Sequence, residues 1–359
     1  MKAAVCYEFG QDLVIDELEL SPPQQGEVKV KLAACAICHS DIHYAEGAWG
    51  GSVPILLGHE AAGVVEELGE GAVNLNVGDH VIVSLIRSCG RCPFCSVGQS
   101  VLCEQEFPLD KKSRLHTKDG TAVTQGIRTG AFAEYVVVDQ SQLVAIPKDI
   151  PLNSAALLAC GVITGLGAVT HTAKLEPGSS AVVIGTGGVG LNSIQGARIA
   201  GAQPIIAVDI VDAKLEAAKG FGATHTVNSK TENLRDAVFD YTYARGADYV
   251  FVTVGNAKAM EQGLELLKAG GTLVIVGMPA SGVKIEVEAA NFAHGAQRIL
   301  GSKMGMVNQA ADIPKLIALY QEKRLKLDEL ITAEYPLEDI NEAIAKVKRG
   351  EALRNVIRF

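Results

Sequence analysis

From about residue 154 onward the sequence alternates between short apolar strands and helical stretches, and this alternation restricts the possible folds most strongly. The strands read "SAVVIG", "PIIAVDI", "DYVFVTVG" and "GTLVIVGM", and a helical stretch follows each of the first three. Strands that are joined by helices pair in parallel, and the helices cover both faces of the sheet. This half of the chain is therefore predicted to be a doubly wound α/β domain.

The sequence up to about residue 150 has a different pattern. Short strands separated by Gly, Pro and Asp predict a twisted antiparallel or barrel-like domain; they read "EVKVKLAACAI", "AAGVVEELG", "GDHVIVSLI" and "AFAEYVVVD". One long helix is predicted for "NSAALLACGVITGLGAVTHTAKL", and the tail reads as two helices followed by a final strand, "LRNVIRF". A chain of 359 residues is too long for one hydrophobic core, so two domains are expected.

Charge argues against binding to nucleic acid, and the lengths of the apolar runs argue against a membrane span. The formal net charge is −9, and no cluster of Lys and Arg offers a track for phosphates. No apolar run approaches the ~20 residues that a membrane-spanning helix needs. The N-terminal segment lacks the apolar region of a signal peptide, so a cytoplasmic protein is expected.

A glycine-rich turn marks the start of the alternating half. The stretch "AVVIGTGGVG" places Gly185, Gly187 and Gly190 in G-x-G-x-x-G register between a strand and a helix. Such glycines allow a tight turn and a close approach to a pyrophosphate, which the helix N-terminus then faces. The next strand ends in Asp209, where an acid accepts hydrogen bonds from the adenosine ribose and repels a 2′-phosphate. NAD is therefore favoured over NADP; Lys214 could assist the ribose or simply be solvated.

Four cysteines form a compact array in the stretch "CGRCPFCSVGQSVLC". Cys89, Cys92, Cys95 and Cys103 follow a C-x2-C-x2-C-x7-C spacing. Four thiolates close a tetrahedron around Zn²⁺ and leave no position for a reactant. The array therefore predicts a structural zinc, and it gives no information about the reaction that the protein catalyses.

A second, more open metal site is suggested by "CAICHSDIH" and "LLGHEAAGVV". Cys38 and His59 come from separate turns and supply half of a site, and Cys160 is the only unassigned thiol near a domain junction. Two thiolates and one imidazole leave zinc a position for a water or substrate oxygen, whose pKa the metal lowers. A histidine of this kind can also be an ordinary turn residue. Cys6 and Cys35 lie in apolar strand patterns and are expected to be small buried hydrophobic residues.

These motifs occur in the order found in one known family. The segment "GHEAAGVVEELGEGA" fits the G-H-E-x-x-G-x5-G signature of the zinc-dependent, medium-chain alcohol dehydrogenases, which the whole chain resembles. The resemblance implies a GroES-like catalytic domain made of residues 1–155 and 301–359, with the structural-zinc lobe at 89–103. A Rossmann NAD-binding domain, residues 156–300, would be inserted into it, with the active site in the cleft between the two.

The resemblance also implies roles for individual residues. Cys38, His59 and Cys160 would bind a catalytic zinc, and Asp41 would orient the imidazole ligand. Glu60 would lie behind the metal, either for ligand exchange or in a structural role.

The proton released from the alcohol would pass to Ser40 and then, through the ribose, to His43. Five further residues are expected to contact the cofactor. The resemblance implies His39 and Arg354 at the pyrophosphate and Thr164 and Val189 at the nicotinamide, and Gly188 lies in the glycine turn beside Gly187.

The function implied is reversible, NAD-dependent oxidation of primary alcohols, aliphatic or aromatic, to aldehydes, with one catalytic and one structural zinc in each chain. By position, Trp49, Leu85 and Ile86 would form apolar pocket walls, which disfavour a polyol substrate. Relatives form homodimers or homotetramers whose Rossmann sheets join near "GTLVIVGM", so a homo-oligomer is expected.

One alternative enzyme is a glutathione-dependent formaldehyde dehydrogenase, which the Rossmann half and the segment after the cysteine lobe resemble. Two positions depart from that subgroup, because Trp49 replaces an acidic residue and Phe107 replaces an arginine. A catalytically silent NAD-binding relative is a further alternative. Such a protein would be expected to have lost zinc ligands or the proton-relay residues, here Ser40 and His43, and this chain keeps both.

Overall fold

The computed structural model describes all residues, Met1–Phe359, and they form two compact units. The first consists of Met1–Cys160, Asn308–Gln321 and Leu327–Phe359, and the second of Gly161–Val307 and Glu322–Lys326. The chain therefore changes unit after Cys160 and after Val307, rather than at the predicted boundaries 155/156 and 300/301. Cys160 belongs to the first unit, where its neighbour Ala159 accepts a hydrogen bond from the hydroxyl of Ser84, at 2.9 Å.

The N-terminal part of the first unit is rich in short strands, as its sequence predicted. They are β1 (Lys2–Cys6), β2 (Val14–Glu17), β3 (Glu19–Leu20), β4 (Glu27–Ala36), β5 (Ile55–Leu56), β6 (Glu60–Leu68), β7 (His80–Ser84), β8 (Leu115–His116), β9 (Ala122–Gln125), β10 (Tyr135–Asp139) and β11 (Leu143–Ile146). The helices are α1 (His39–Ala45), α2 (Pro93–Ser96), α3 (Pro108–Lys111) and α4 (Leu152–Ala156), with 3₁₀ turns at Ser100–Leu102, Gly126–Arg128, Gln140–Gln142 and Leu157–Ala159.

The second unit alternates strands and helices. It contains β12 (Ala181–Ile184), β13 (Ile205–Asp209), β14 (His225–Asn228), β15 (Ala247–Val252), β16 (Leu267–Ile275) and β17 (Arg298–Gly301). Its helices are α5 (Gly161–Gly167, continued by a π-helical turn over Ala168–Ala173), α6 (Gly188–Ala200), α7 (Asp212–Phe221), α8 (Leu234–Tyr241), α9 (Ala257–Glu265) and α10 (Ala289–His294), with a 3₁₀ turn at Met304–Met306. All neighbouring strands are parallel, in the order β14-β13-β12-β15-β16-β17. The predicted doubly wound sheet is confirmed.

The C-terminal tail returns to the first unit. It forms α11 (Gln309–Gln321), β18 (Ile331–Pro336), α12 (Ile340–Lys348) and β19 (Arg354–Arg358), with 3₁₀ turns at Asp328–Leu330 and Leu337–Asp339. β19 lies antiparallel to β4, with Ile357 opposite Cys35. The last strand therefore completes a seven-stranded sheet, ordered β11-β7-β6-β4-β19-β18 with β10 also on β4. A second sheet has the order β2-β1-β5-β9-β8-β3.

Burial of apolar side chains holds the first unit together. On β4 the alternating residues Val28, Val30 and Leu32 are at most 2% exposed and pack into one core cluster with residues of β1, β6 and β7. Burying each such side chain stabilises the fold by ~1.5–3 kcal/mol. The strands that carry the candidate site are thus anchored by an extensive apolar core.

The single helix predicted for the segment that contains Cys160 is broken. α4 and the 3₁₀ turn after it end at Ala159, Cys160 has φ −145° and ψ −73°, and α5 begins at Gly161. The prediction of one helix was wrong at this residue, because a continuous apolar sequence cannot show where the backbone leaves the helical region. The break places the Cys160 side chain outside the regular helical register.

None of the helices combines the length and the apolar composition that a membrane-spanning segment needs. One bent pair, Leu152–Ala159 with Gly161–Ala173, passes that test by length and composition only. Most residues of this pair are buried in the protein.

Candidate active site

The four-cysteine lobe is a compact loop in which backbone amides point at sulfur atoms. The Sγ atoms of Cys89, Cys92, Cys95 and Cys103 all lie within 4.8 Å of one another. The amide of Cys92 donates to Cys89 Sγ at 3.3 Å, and that of Cys95 donates to Cys92 Sγ at 3.4 Å. Amide donors of this kind stabilise thiolates, which are the form that binds zinc.

Thiol acidity within the lobe is unequal. The hydrogen bond from the Cys95 amide lowers the pKa of Cys92 to about 6. Burial, together with the neighbouring Cys92 sulfur, raises the pKa of Cys95 to about 12. Zinc held by these four cysteines would take the place of the remaining thiol protons. The four-sulfur donor set and its spacing therefore fit a closed tetrahedral zinc site.

A second cluster combines residues from three separate elements of the first unit. Cys38 is the N-cap of α1, His59 directly precedes β6, and Cys160 occupies the helix break. Their ligand atoms lie within 4.8 Å of one another, all three residues are buried, and His59 Nε2 is 3.3 Å from Cys160 Sγ. Zinc bonds of about 2.0–2.3 Å in a tetrahedron place ligand atoms about 3.5 Å apart. The cluster therefore fits zinc, with three protein ligands.

Asp41 holds two of these ligands in place. Its Oδ1 atom lies 2.8 Å from His59 Nδ1 and also accepts from the amide of Gly58 at 2.9 Å. Its Oδ2 atom accepts from the amide of Cys38 at 3.1 Å. This arrangement leaves His59 Nε2 directed at the cluster, as a zinc-binding imidazole requires.

The charges of the cluster favour loss of thiol protons. The hydrogen bond from Cys160 lowers the pKa of Cys38 well below its ordinary value; burial opposes this, and His59 adds to it. Burial lowers the pKa of His59, but the charge and hydrogen bond of Asp41, with help from Cys38, outweigh it and raise the pKa to about 10. The site is thus built for a positive charge among anionic sulfurs, which Zn²⁺ supplies.

Glu60 and Arg354 form an ion pair next to the cluster. Both are buried, with Glu60 at the start of β6 and Arg354 at the start of β19. Arg354 also interacts electrostatically with Cys38. The predicted phosphate contact of Arg354 and the metal-side role of Glu60 both stay predictions.

The remaining residues of the opening stretch lie on α1. Ser40 and His43 are three residues apart, half-buried, and therefore on the same face of the helix. The His43 ring lies 5.4 Å from that of Trp49, which also makes an edge contact with Tyr44 at 5.1 Å. His39 is exposed at the first turn of α1.

Two of the predicted pocket walls follow β7. Leu85 is half-buried and Ile86 is 2% exposed. The amide of Ile86 faces the Ser84 hydroxyl at 3.3 Å, and that hydroxyl donates to Ala159, the neighbour of Cys160. The end of β7 is thereby connected to the metal cluster, while the contact of these side chains with a substrate stays a prediction.

The glycine turn in the second unit has the local geometry expected for dinucleotide binding. Gly185 has φ +91°. Position 190 requires glycine, because a Cβ there would overlap the carbonyl oxygen of Gly185. Gly187, by contrast, has φ −75°, and a Cβ there would meet no atom within 4 Å. The fold does not require glycine at 187, so the open space in front of it fits a phosphate group of the cofactor.

Asp209 is tied to this turn. Its Oδ2 atom accepts from the amide of Thr186 at 2.8 Å and from the Thr186 hydroxyl at 3.0 Å. Its Oδ1 atom accepts from the amides of Ile210 and Val211 at 2.8 and 3.1 Å. The carboxylate at the end of β13 is therefore oriented before any ribose binds.

Other predicted cofactor residues lie on the helices around the turn. Gly188 and Val189 begin α6, and Thr164 on α5 donates to Met304 Sδ at 3.7 Å. Lys214 is half-buried in the first turn of α7. Their contacts with NAD stay predictions.

Cys6 and Cys35 belong to neither cluster. Both are 0% exposed and unpaired by disulfide, and burial raises the pKa of each thiol. They behave as small core residues.

Two interactions near the site were not predicted from the sequence. The Thr186 hydroxyl donates a hydrogen bond to Asp209. The sequence signal for this interaction is that Thr186 is the one polar residue within "GTGGVG". Arg87 is 2% exposed and donates to Gln142, Asp110 and the carbonyl of Arg128. No sequence signal pointed to this second network, because its partners lie far apart in the chain.

Comparison with known proteins agrees with both halves of this description. Residues 24–148 match the family described as "Alcohol dehydrogenase GroES-like domain", and residues 188–322 match the "Zinc-binding dehydrogenase" family. The chain is 40% identical to "Probable S-(hydroxymethyl)glutathione dehydrogenase 1" of Schizosaccharomyces pombe, over 99% of this chain and 96% of that protein. It is 39% identical to "Alcohol dehydrogenase class-3" of Drosophila melanogaster, over 100% and 97%.

A solved structure is similar along its whole length. The benzyl alcohol dehydrogenase of Acinetobacter calcoaceticus superposes with a TM-score of 0.93 at 32% identity, covering 100% of this chain and 99% of that one. Sequence relatives and structure thus agree with the two metal-binding clusters and the dinucleotide turn. The chain belongs to the zinc-dependent, NAD-binding, medium-chain alcohol dehydrogenase family.

Proposed function

We propose that the protein is an NAD-dependent alcohol dehydrogenase that reversibly oxidises primary alcohols to aldehydes. The observation that carries this proposal is the buried group of Cys38, His59 and Cys160, which offers zinc three ligands, one fewer than its usual four. Zinc held there would supply Lewis acidity, and NAD held at the glycine turn would supply the hydride acceptor.

The protein's own residues provide the route for the proton. Ser40 accepts the proton of the substrate hydroxyl, and His43, on the same face of α1, passes it toward solvent. Both side chains are half-buried, so each has a buried and a solvent-facing side. Asp41 keeps the imidazole of His59 in the orientation that binds metal.

The substrate proposed is apolar around the reacting carbon. Trp49 packs against His43, and Ile86 follows the strand end that is connected to Cys160. An aromatic wall and an aliphatic wall exclude water and favour aliphatic or aromatic primary alcohols over polyols.

A second candidate, a thiol-dependent formaldehyde dehydrogenase, is favoured by the names of the relatives at 39–40% identity. Trp49 and Phe107 argue against it, because neither offers a charge for an ionic cosubstrate. Phe107 is 9% exposed and lies over the Arg87 guanidinium at 5.6 Å.

The substrate experiment follows NADH absorbance with ethanol, with benzyl alcohol, and with formaldehyde in the presence and absence of glutathione. Turnover of the free alcohols without a thiol supports the first candidate. A strict glutathione requirement would reverse the choice.

The relay is tested with Ser40→Ala, which should lower kcat by roughly 100-fold or more because the first proton acceptor is lost. Ser52→Ala, at an exposed serine outside the site, is the matched control. Unchanged alcohol turnover in Ser40→Ala would refute the relay.

We further propose that the chain forms a homo-oligomer through the edge of its parallel sheet. The stretch "GTLVIVGM" does not itself supply that edge, because β16 lies between β15 and β17. β17 is the outer strand of that sheet. Met278 and Val283, in the segment between β16 and β17, are 61% and 46% exposed. Light scattering that gives the mass of one chain would contradict this proposal.

A further inference from the structure

Cys160 enters the open metal cluster from an irregular piece of backbone. Its φ of −145° and ψ of −73° lie outside the helical region, between the 3₁₀ turn that ends at Ala159 and the start of α5. Regular helical geometry therefore does not set the direction of this side chain. The Asp41 carboxylate is hydrogen-bonded to the segments that carry Cys38 and His59, so the third ligand depends on a different contact.

The hydroxyl of Ser84 makes that contact. It donates to the carbonyl of Ala159 at 2.9 Å and accepts from the amide of Ile86 at 3.3 Å. Ser84 and Ala159 are both 0% exposed, so water does not compete for these hydrogen bonds. The Ala159 carbonyl and the Cys160 nitrogen share one planar peptide group. The hydroxyl that fixes the carbonyl therefore also fixes the plane from which the Cys160 backbone continues.

Ser84 is itself fixed relative to His59. In the antiparallel pairing of β6 with β7, Ser84 lies directly opposite Glu60, which follows His59 in the chain. The Ser84 carbonyl also accepts from Nε2 of the buried Gln142 at 2.8 Å. The hydroxyl thus joins the peptide before Cys160 to the strand that begins next to His59.

A hydroxyl at this position is not required for packing. Ser84 stands in the stretch "VIVSLI", where every other residue is apolar. A buried hydroxyl is unfavourable unless it is hydrogen-bonded, so an apolar side chain would suit a strand end that served only the core. The serine is explained by the carbonyl to which it donates.

We propose that Ser84 is a positioning residue for the third zinc ligand. Its hydroxyl holds the Ala159–Cys160 peptide so that Cys160 Sγ stays 3.3 Å from His59 Nε2, a separation that suits two ligands of one zinc ion. Ser84 acts through Cys160 and not by contact with the metal. The proposal rests on the zinc site of the proposed function, but not on the proton relay or on the choice of alcohol.

The test compares Ser84→Ala with a matched control, Ser113→Ala. The Ser113 hydroxyl has the same pattern of hydrogen bonds, since it donates to the carbonyl of Val123 at 2.5 Å and accepts from the amide of Leu115 at 3.1 Å. Ser113 belongs to neither metal cluster. Each substitution removes one hydroxyl that joins two chain segments, and Ser84→Ala alone removes it beside a zinc ligand.

The measurement is zinc retention at individual cysteines of the full-length, zinc-loaded protein. The proteins are exposed to increasing concentrations of a zinc chelator and then to iodoacetamide, and mass spectrometry reports which cysteines are alkylated. In Ser84→Ala, Cys160 should become reactive at about tenfold lower chelator concentration than in wild type, the lower end of the effect expected for residues that support zinc ligands. The four-cysteine lobe should stay protected to the wild-type concentration in both variants.

A second pair of variants separates the hydroxyl from the size of the side chain. Ser84→Thr keeps the hydroxyl and should retain zinc like the wild type, whereas the similarly sized Ser84→Val should release it like Ser84→Ala. This comparison decides the question even where the alanine variant folds poorly.

Three results would overturn the proposal: wild-type zinc retention at Cys160 in Ser84→Ala, equal retention in Ser84→Thr and Ser84→Val, or an equal loss in Ser113→Ala. A wild-type protein in which zinc does not protect Cys160 would overturn the proposed metal site as well.

Discussion

His59 and Asp41 form a buried pair in which Nδ1 and Oδ1 lie 2.8 Å apart and each side chain is 1% exposed. The same carboxylate accepts from the amides of Gly58 and Cys38. One side chain therefore fixes the two chain segments that carry Cys38 and His59. The geometry of the open metal site is set as much by Asp41 as by the ligands themselves.

Asp41→Asn should weaken zinc binding at this cluster by about 10- to 100-fold. The substitution preserves shape, but it removes the charge that supports the imidazole and turns an amide N–H toward a backbone donor. Zinc affinity is measured by competition with a chromogenic chelator, with exposed Asp12→Asn as the control. Equal affinity in Asp41→Asn and wild type would show that Asp41 does not orient the ligand.

The sequence predicted those parts of the molecule whose signals are local. The four-cysteine lobe is complete within fifteen residues, and the glycine turn and Asp209 belong to one strand–helix–strand unit. The parallel sheet followed from alternation alone. Each of these features could be recognised because its residues are close in the chain.

Features that depend on distant contacts were harder to predict. No local spacing joins Cys160 to His59, which lies 101 residues earlier. Elimination among the cysteines proposed Cys160 as the third ligand, and the resemblance to a family supported that choice. The helix break at Cys160 was missed because the sequence on both sides is uniformly apolar. The Arg87 network was missed because its partners, Asp110 and Gln142, are 23 and 55 residues away.

Removal of one sulfur from the lobe should destabilise the protein without directly affecting the open site. Cys95→Ser should reduce the zinc content from two per chain to one. Cross-linking a loop of about 15 residues stabilises the folded state by ~3 kcal/mol. Loss of the cross-link should therefore lower Tm by about 6–12 °C for a large domain. Metal analysis and calorimetry measure the two effects.

Cys6→Ala is the matched control for the lobe, because Cys6 is a buried thiol outside both clusters. It should retain both zinc ions. A full zinc complement in Cys95→Ser would mean that three sulfurs of the lobe suffice.

Arg87→Met should be strongly destabilising although Arg87 lies outside both metal clusters. The change deprives Asp110, Gln142 and the Arg128 carbonyl of a buried donor. Removing one partner of a buried ion pair costs about 3–5 kcal/mol. Urea unfolding measures the difference, and exposed Arg91→Met serves as the control. Equal unfolding midpoints for wild type and Arg87→Met would contradict the assigned role of the network.

Tyr320 should make stability sensitive to alkaline pH. Burial, together with the hydrogen bond to Asp328, raises the pKa of Tyr320 to about 12, from an ordinary value of 10.0. Since the pKa is higher in the folded state, this contribution to stability is complete below pH ~10 and is lost as the pH rises toward ~12. Tyr320→Phe has no phenol to titrate. Urea unfolding of both proteins from pH 8 to pH 11 should therefore give a stability difference that is constant up to pH ~9.5 and shrinks above it. A difference that stays constant to pH 11 would show that the phenol titrates equally in the folded and unfolded chains.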